Sequence, residues 1–170
     1  NIDALDNDGF GVWFDGKVEH GSISFGRIEG NGGIGLAFGT LATNTHVRGG
    51  TIRGNDDYGV AVDTCSGVLL ENLLVEDNAL GGLQTFGTFS GLGIHRCTFK
   101  YSTATGLNHL VIGSDVSGVS RLWNSYDAEG GIVDHSTAPI CAYEAVSGIP
   151  PMLSGTTAQR PTPTATQRVA

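Results

Sequence analysis

Ile23-Ser-Phe-Gly-Arg-Ile-Glu-Gly-Asn-Gly-Gly-Ile-Gly-Leu-Ala-Phe38 is restated by the chain as Val47-Arg-Gly-Gly-Thr-Ile-Arg-Gly-Asn-Asp-Asp-Tyr-Gly-Val-Ala-Val62, 24 residues further on. Apolar residues, one asparagine and one late glycine recur at the same places. Taking that glycine as the anchor gives Gly11, Gly35, Gly59, Gly82, Gly106 and then Gly130 or Gly131. Four places before each stand Asn7, Asn31, Asn55, Asn78 and then Ser102; seven before it stand Ala4, Ile28, Ile52, Val75 and Phe99. Twelve before it come Ile23, Val47, Leu70, Ile94 and Val119, and directly after it Val12, Leu36, Val60, Leu83, Leu107 and Ile132. A fixed period of this size marks a solenoid.

Within each unit the apolar residues alternate in short runs such as Val60, Val62 or Ile94, Cys97, Phe99, bounded by Gly, Asn and Asp. That is the period of strands, and no segment sustains a helical stripe. Strands that recur every 24 residues pair with their copies in the next unit as a parallel ladder about 4.8 Å apart, so each unit is one turn of a coil. Connections between parallel strands are right-handed. The fold predicted is therefore all-β: a right-handed single-stranded parallel β-helix of about six 24-residue coils, on the order of 29 Å long.

The asparagine column predicts a ladder at one corner, with stacked amides bonding one another and the backbone. The glycine column supplies either a positive φ or a close approach before the next strand. Outward rows read Glu29, Arg53, Glu76, Lys100 and Arg48, Glu71, His95. Charges alternate along the first row, so stacking in this register places opposite signs side by side.

Bulk properties exclude other classes. The 27 glycines do not fall at every third place, which rules out collagen, and the regular apolar columns argue against disorder. A net charge of −8, with only nine Lys and Arg and no basic run, argues against nucleic acid or anionic membrane as a partner. No stretch approaches the roughly 20 apolar residues of a membrane span. Cys65, Cys97 and Cys141 are an odd number at unrelated places in the repeat, which favours free thiols and a reducing compartment. The chain opens on Asn rather than Met and is read as part of a longer product.

Two regions follow: a β-helix over 1–145, and a Pro/Thr/Ser-rich arm or linker over 146–170 with Pro150, Pro151, Pro161 and Pro163, which cannot donate to a ladder. Polar residues enter the repeat in its last coils. His109 and Asp134 take the same place in successive units, three after the anchor, with Asp127 and Glu129 nearby; a His beside a carboxylate suits acid–base chemistry, or it is a satisfied polar residue of the core. Asp56 and Asp57, with Asp77 or Glu129 on other coils, form either a carboxylate pair for glycoside hydrolysis or solvated turns. Tyr58, Tyr101, Trp123 and Tyr126, with Trp13, are candidates for stacking on sugar rings or for the core. No zinc spacing or phosphate loop is present, so neither metal nor cofactor is implied.

Units such as Leu70-Glu-Asn-Leu-Leu-Val-Glu-Asp-Asn78 and Ile94-His-Arg-Cys-Thr-Phe-Lys-Tyr-Ser102 resemble the pectate-lyase-like parallel β-helix superfamily. Ser154-Gly-Thr-Thr-Ala-Gln-Arg-Pro-Thr-Pro163 resembles the closing segment of phage and prophage β-helix virion proteins. That resemblance implies a homotrimeric spike or tail-fibre domain on the virion surface, assembled in the bacterial host cytoplasm, contacting other virion proteins and a host cell-surface glycan. The same fold also hosts polysaccharide-degrading enzymes and purely architectural virion parts.

Overall fold

The structure, a computed structural model, describes residues 2–101, 107–127 and 130–136, together with the backbone of the strand Cys141–Val146. All of its strand pairings are parallel, and they build three faces. The first face stacks 22–24, His46–Arg48, Ser66–Glu71, Phe89–His95, 120–122 and 141–143. The second stacks Ile2–Leu5, 27–29, Thr51–Arg53, Leu74–Glu76, Thr98–Lys100, 125–126 and 145–146. The third stacks Val12–Phe14, Leu36–Phe38, Tyr58–Asp63, Gly81–Phe86, Asn108–Ile112 and Gly131–Asp134, six rungs separated by five turns of the coil.

The interior is a set of stacked columns. Ile28, Ile52, Val75 and Phe99 pair in register, and none is more than 1% exposed. Leu36, Val60, Leu83 and Leu110 form a second column, and Val47, Leu70 and Ile94 a third. Outside, the alternating row holds: Arg53 reaches Glu29 at 2.8 Å and Glu76 at 3.8 Å.

The asparagine ladder is continuous. The side-chain amide of Asn7 donates to Asn31 Oδ1 at 2.7 Å, that of Asn31 to Asn55 Oδ1 at 2.8 Å, and that of Asn55 to Asn78 Oδ1 at 2.8 Å. The same amides of Asn31, Asn55 and Asn78 also donate to the carbonyls of Ala4, Ile28 and Ile52. Each Oδ1 in turn accepts from the backbone N–H of the asparagine one coil below. One buried side chain per turn thus satisfies groups on three coils.

The anchor glycines answer to close approach. A Cβ on Gly59 would stand 2.6 Å from Val75 Cγ1 and 2.9 Å from Gly82 O. Left-handed backbone is found elsewhere, chiefly at the corners, in columns that each take one residue per turn. Asp6, Gly30, Gly54 and Asp77 form one such column, just before the ladder asparagines. His20, Asn44, Gly67, Gly91 and Gly118 form a second, and Gly49, Asn72, Arg96 and Trp123 a third.

The last coils depart from the predicted columns. Phe99 pairs with Tyr126 and Thr98 bonds Ser125, a separation of 27 residues instead of 24. Since Glu76 still pairs with Lys100 at the usual interval while Leu83 pairs with Leu110, the three extra residues enter between Lys100 and Leu110. Leu110 therefore replaces Leu107 after the anchor, Arg121 replaces Val119 beside Ile94, and Tyr126 rather than Asn124 follows Phe99. The register shifts again at Asn124, whose amide bonds the carbonyl of Ile94 and the N–H of Cys97. Cys65 and Cys97 are free and buried, and burial pushes their thiols up to about 12 and about 11, so neither is ionised at neutral pH. Ser102, Gly106, Glu129 and the Pro-rich segment 147–170 lie outside the described residues.

Candidate functional site

The three-residue insertion rearranges the polar cluster of the last coils. His109 does not share a row with Asp134: it stands between Asn108, opposite Gly131, and Leu110, opposite Ile132, while Asp134 lies opposite Ile112. The cluster separates into two pairs. His109 Nε2 meets Asp127 Oδ1 at 2.8 Å, and Arg121, which the sequence reading passed over, meets Asp134 Oδ2 at 3.4 Å.

His109 and Arg121 are withdrawn from solvent, whereas the Asp127 carboxylate is half-buried. His109 is fully buried, stacked on Tyr101 with ring centroids 4.8 Å apart, and Gly130 lies so close that a Cβ there would stand 2.5 Å from the imidazole. Asp127 is held from a second side by the N–H of Tyr101 at 2.6 Å, and the Tyr101 hydroxyl donates to Asn108 O at 3.1 Å. Arg121 is 4% exposed, and the Asp134 side chain 8%. The imidazole of His109 is shut inside the core, and the Asp127 side chain, 28% exposed, is the part of the pair that reaches the surface.

Burial outweighs the attraction of Asp127 and lowers the His109 pKa. The imidazole is therefore neutral near pH 7, with Nε2–H donating to the carboxylate. An unfolded chain binds the proton that the folded one refuses, so stability falls as pH drops below the ordinary value of 6.5. Thermal unfolding between pH 7.5 and 5, from about one unit above that value to about one and a half below it, should show this loss, and His109→Gln should flatten the slope. A residual slope of the same sign is expected from His95, whose pKa burial also lowers.

The predicted aromatics divide by side. Tyr101 and Tyr126 are each 3% exposed: Tyr126 stacks on Phe99 at 5.5 Å, Tyr101 on His109, and both belong to the core rather than to a sugar-facing surface. The inward place of Tyr126 follows from the shifted register, which sets it beside Phe99. Trp123 is 63% exposed at the corner between the first and second faces, and Tyr58 lies half-buried against Phe86 on the third. Asp57 caps its own turn by accepting from Tyr58 N–H at 2.7 Å, and Asp56 is exposed beside it.

The third face carries an open feature. Trp13, Ala37 and Ala61 form its outward row, so a bulky ring is followed along the coil axis by two methyls. Phe10 tilts against Trp13 at 5.1 Å, and Phe86 stands at the far side beside Asp63. Together with Ile34, Phe38 and Gly39 they enclose a groove of about 200 Å³. Trp13, Phe10 and Phe86 are 53%, 42% and 43% exposed, so its walls are apolar rings open to water. Phe86 and Phe10 were invisible as a pair in the sequence, because three coils separate them. Among the described residues no group of three His, Cys, Asp or Glu side chains is placed to hold a metal ion.

Parallel strands in three stacked faces around one narrow interior define a β-solenoid. The family described as right-handed β-helix region matches residues 1–118, and the chain belongs to it. Searches of curated proteins and of solved structures found no match.

Proposed function

We propose that this β-helix is a glycan-binding element that recognises a host cell-surface polysaccharide as part of a virion spike or tail fibre, standing as a homotrimer beside other virion proteins. The observation that carries the binding is the aromatic groove of the third face. Exposed rings of Trp13, Phe10 and Phe86 over a floor of Ala37 and Ala61 offer flat apolar surface to the C–H face of a sugar, with Asp63 at the rim for a hydroxyl. Its size is below the roughly 300–1,000 Å³ of drug-sized pockets, which suits one ring of a longer polymer. The acidic net charge suits a sugar surface and not nucleic acid.

Binding is favoured over cleavage by the placement of the carboxylates. Glycoside hydrolysis needs two carboxyl groups flanking an accessible bond, whereas Asp63 is the single carboxylate lining the groove among the described residues, and Asp127 is tied to the fully buried His109 and to the N–H of Tyr101, away from the groove. Retention on immobilised polysaccharides, without a rise in reducing ends, is the expected result. Trp13→Ala and Phe86→Ala should each weaken retention about tenfold or more, equivalent to ~1.4 kcal/mol. Shortened polysaccharide would instead favour a depolymerase, and no retention at all an architectural part. Sedimentation equilibrium of the full chain tests the trimer, and labelling of intact particles tests the virion location.

A further inference from the structure

We propose that the corner formed by Arg96 and Trp123, between the first and second faces, is a separate subsite for a carboxylate-bearing sugar residue of an acidic polysaccharide. The inference rests on the glycan-binding reading and adds to it a second place and a charge class. Its starting point is backbone conformation. The column at this corner runs Gly49, Asn72, Arg96, Trp123, with φ of 63°, 56°, 53° and 54°. Gly and Asn are the residues such a turn favours, and a bulky side chain there is an outlier. Trp123 gives the fold little burial in return, because it is 63% exposed. Strain with so little packing gain is the mark of a position kept for contact with something else.

What surrounds the indole is cationic. The Arg96 guanidinium lies over the Trp123 ring, 5.2 Å from its centroid, and is oriented by Glu71 Oε1 at 2.7 Å. The other Glu71 oxygen meets Arg48 Nε at 3.5 Å and His46 Nε2 at 3.2 Å. Glu71 is thus a buttress: its side chain is 19% exposed, while those of Arg96 and Arg48 are 52% and 60% exposed. Each guanidinium has five N–H donors, and these contacts engage a minority of them. Among the described residues, two arginines against one carboxylate leave the corner positive on a chain of net charge −8. His95, bonded to Ser120 at 2.9 Å, adds neutral polar groups along the same edge.

A flat ring face beside forked, outward-turned guanidinium groups matches one ligand chemistry: a pyranose whose C–H face lies on the indole and whose carboxylate is taken by the forks. A neutral sugar would leave the arginines unused, and a cationic one would be repelled.

Calorimetric titration of the full chain with an oligogalacturonate, and with a neutral cello-oligosaccharide of equal length, decides the point. Expected is saturable binding of the acidic oligomer that weakens at least about tenfold in Arg96→Gln and weakens further as salt rises from about 0.05 to 0.3 M. Trp123→Gly should abolish most of that binding while leaving the melting temperature unchanged or raised, because the turn is relaxed. A lowered melting temperature in Trp123→Gly would show that the tryptophan serves the fold, and equal affinity for both oligomers or an unaffected Arg96→Gln would remove the charge class; either result overturns the proposal. If only neutral glycan binds, and Trp13→Ala abolishes that binding, this subsite fails while the groove stands. If no glycan of either kind is bound or retained, the glycan-binding reading itself fails.

Discussion

Asn55→Ala is expected to cost about 3–5 kcal/mol, because several buried partners each lose a bond worth roughly 1–3 kcal/mol when left unmade. Asn55 sits in the middle of the ladder: its amide donates to Asn78 Oδ1 at 2.8 Å and to Ile28 O at 3.3 Å, and its oxygen accepts from both the N–H and the side-chain amide of Asn31. Water cannot replace these bonds, since Asn55 is 1% exposed. For a chain of this size the loss should lower the melting temperature by roughly 6–20 °C. Asn7→Ala is the control. Asn7 is exposed and bonds Asn31 from one side only, so a loss of about 1 kcal/mol is expected. Urea unfolding of both variants beside wild type measures the difference; equal losses would mean that the ladder does not act as a stack.

Gly59→Ala should be nearly as damaging, at about 2–4 kcal/mol. The added methyl would lie 2.6 Å from Val75 Cγ1, 2.7 Å from Asn78 Nδ2 and 2.9 Å from Gly82 O. The first contact presses on the apolar column and the second on the ladder, while the third is backbone and has little room to move. Relief requires the coils to separate locally, which breaks the hydrogen bonds between Tyr58–Asp63 and its neighbours on the third face. Gly9→Ala, where nothing stands within 4 Å of the new atom, should change stability little. A melting temperature for Gly59→Ala within a degree or two of wild type would mean that the coils are looser than the packing shows.

Much of the fold was legible in residues 1–100 because each coil there repeats one solution to one problem. Ile28, Ile52, Val75 and Phe99 had to stack once their strands paired, and the signs of Glu29, Arg53 and Glu76 agree with that register. The role of the glycines was half legible. Their spacing marked the coil, but whether Gly59 served a turn or a contact depended on where Val75 and Asn78 came to lie. Left-handed turns at residues as unlike as Gly49, Asn72, Arg96 and Trp123 carry no shared letter, so that corner could not be read from the sequence.

The candidate sites were less legible. With Gly106 as anchor, Leu107 and His109 take the inward places; with three extra residues, Leu110 and Ile112 take them, and two apolar side chains at alternate positions make the better core. That difference moved His109 from a presumed partner of Asp134 to a buried bond with Asp127, and brought Arg121 inside. The sequence alone determined the period, the parallel stacking and the ladder, because these follow from local side-chain pattern repeated at one interval. Only the tertiary structure decided which polar groups meet and which aromatics face water. An insertion between coils shifts every later residue against its neighbours, and grooves such as that of Phe10, Trp13 and Phe86 exist only where separate turns lie side by side.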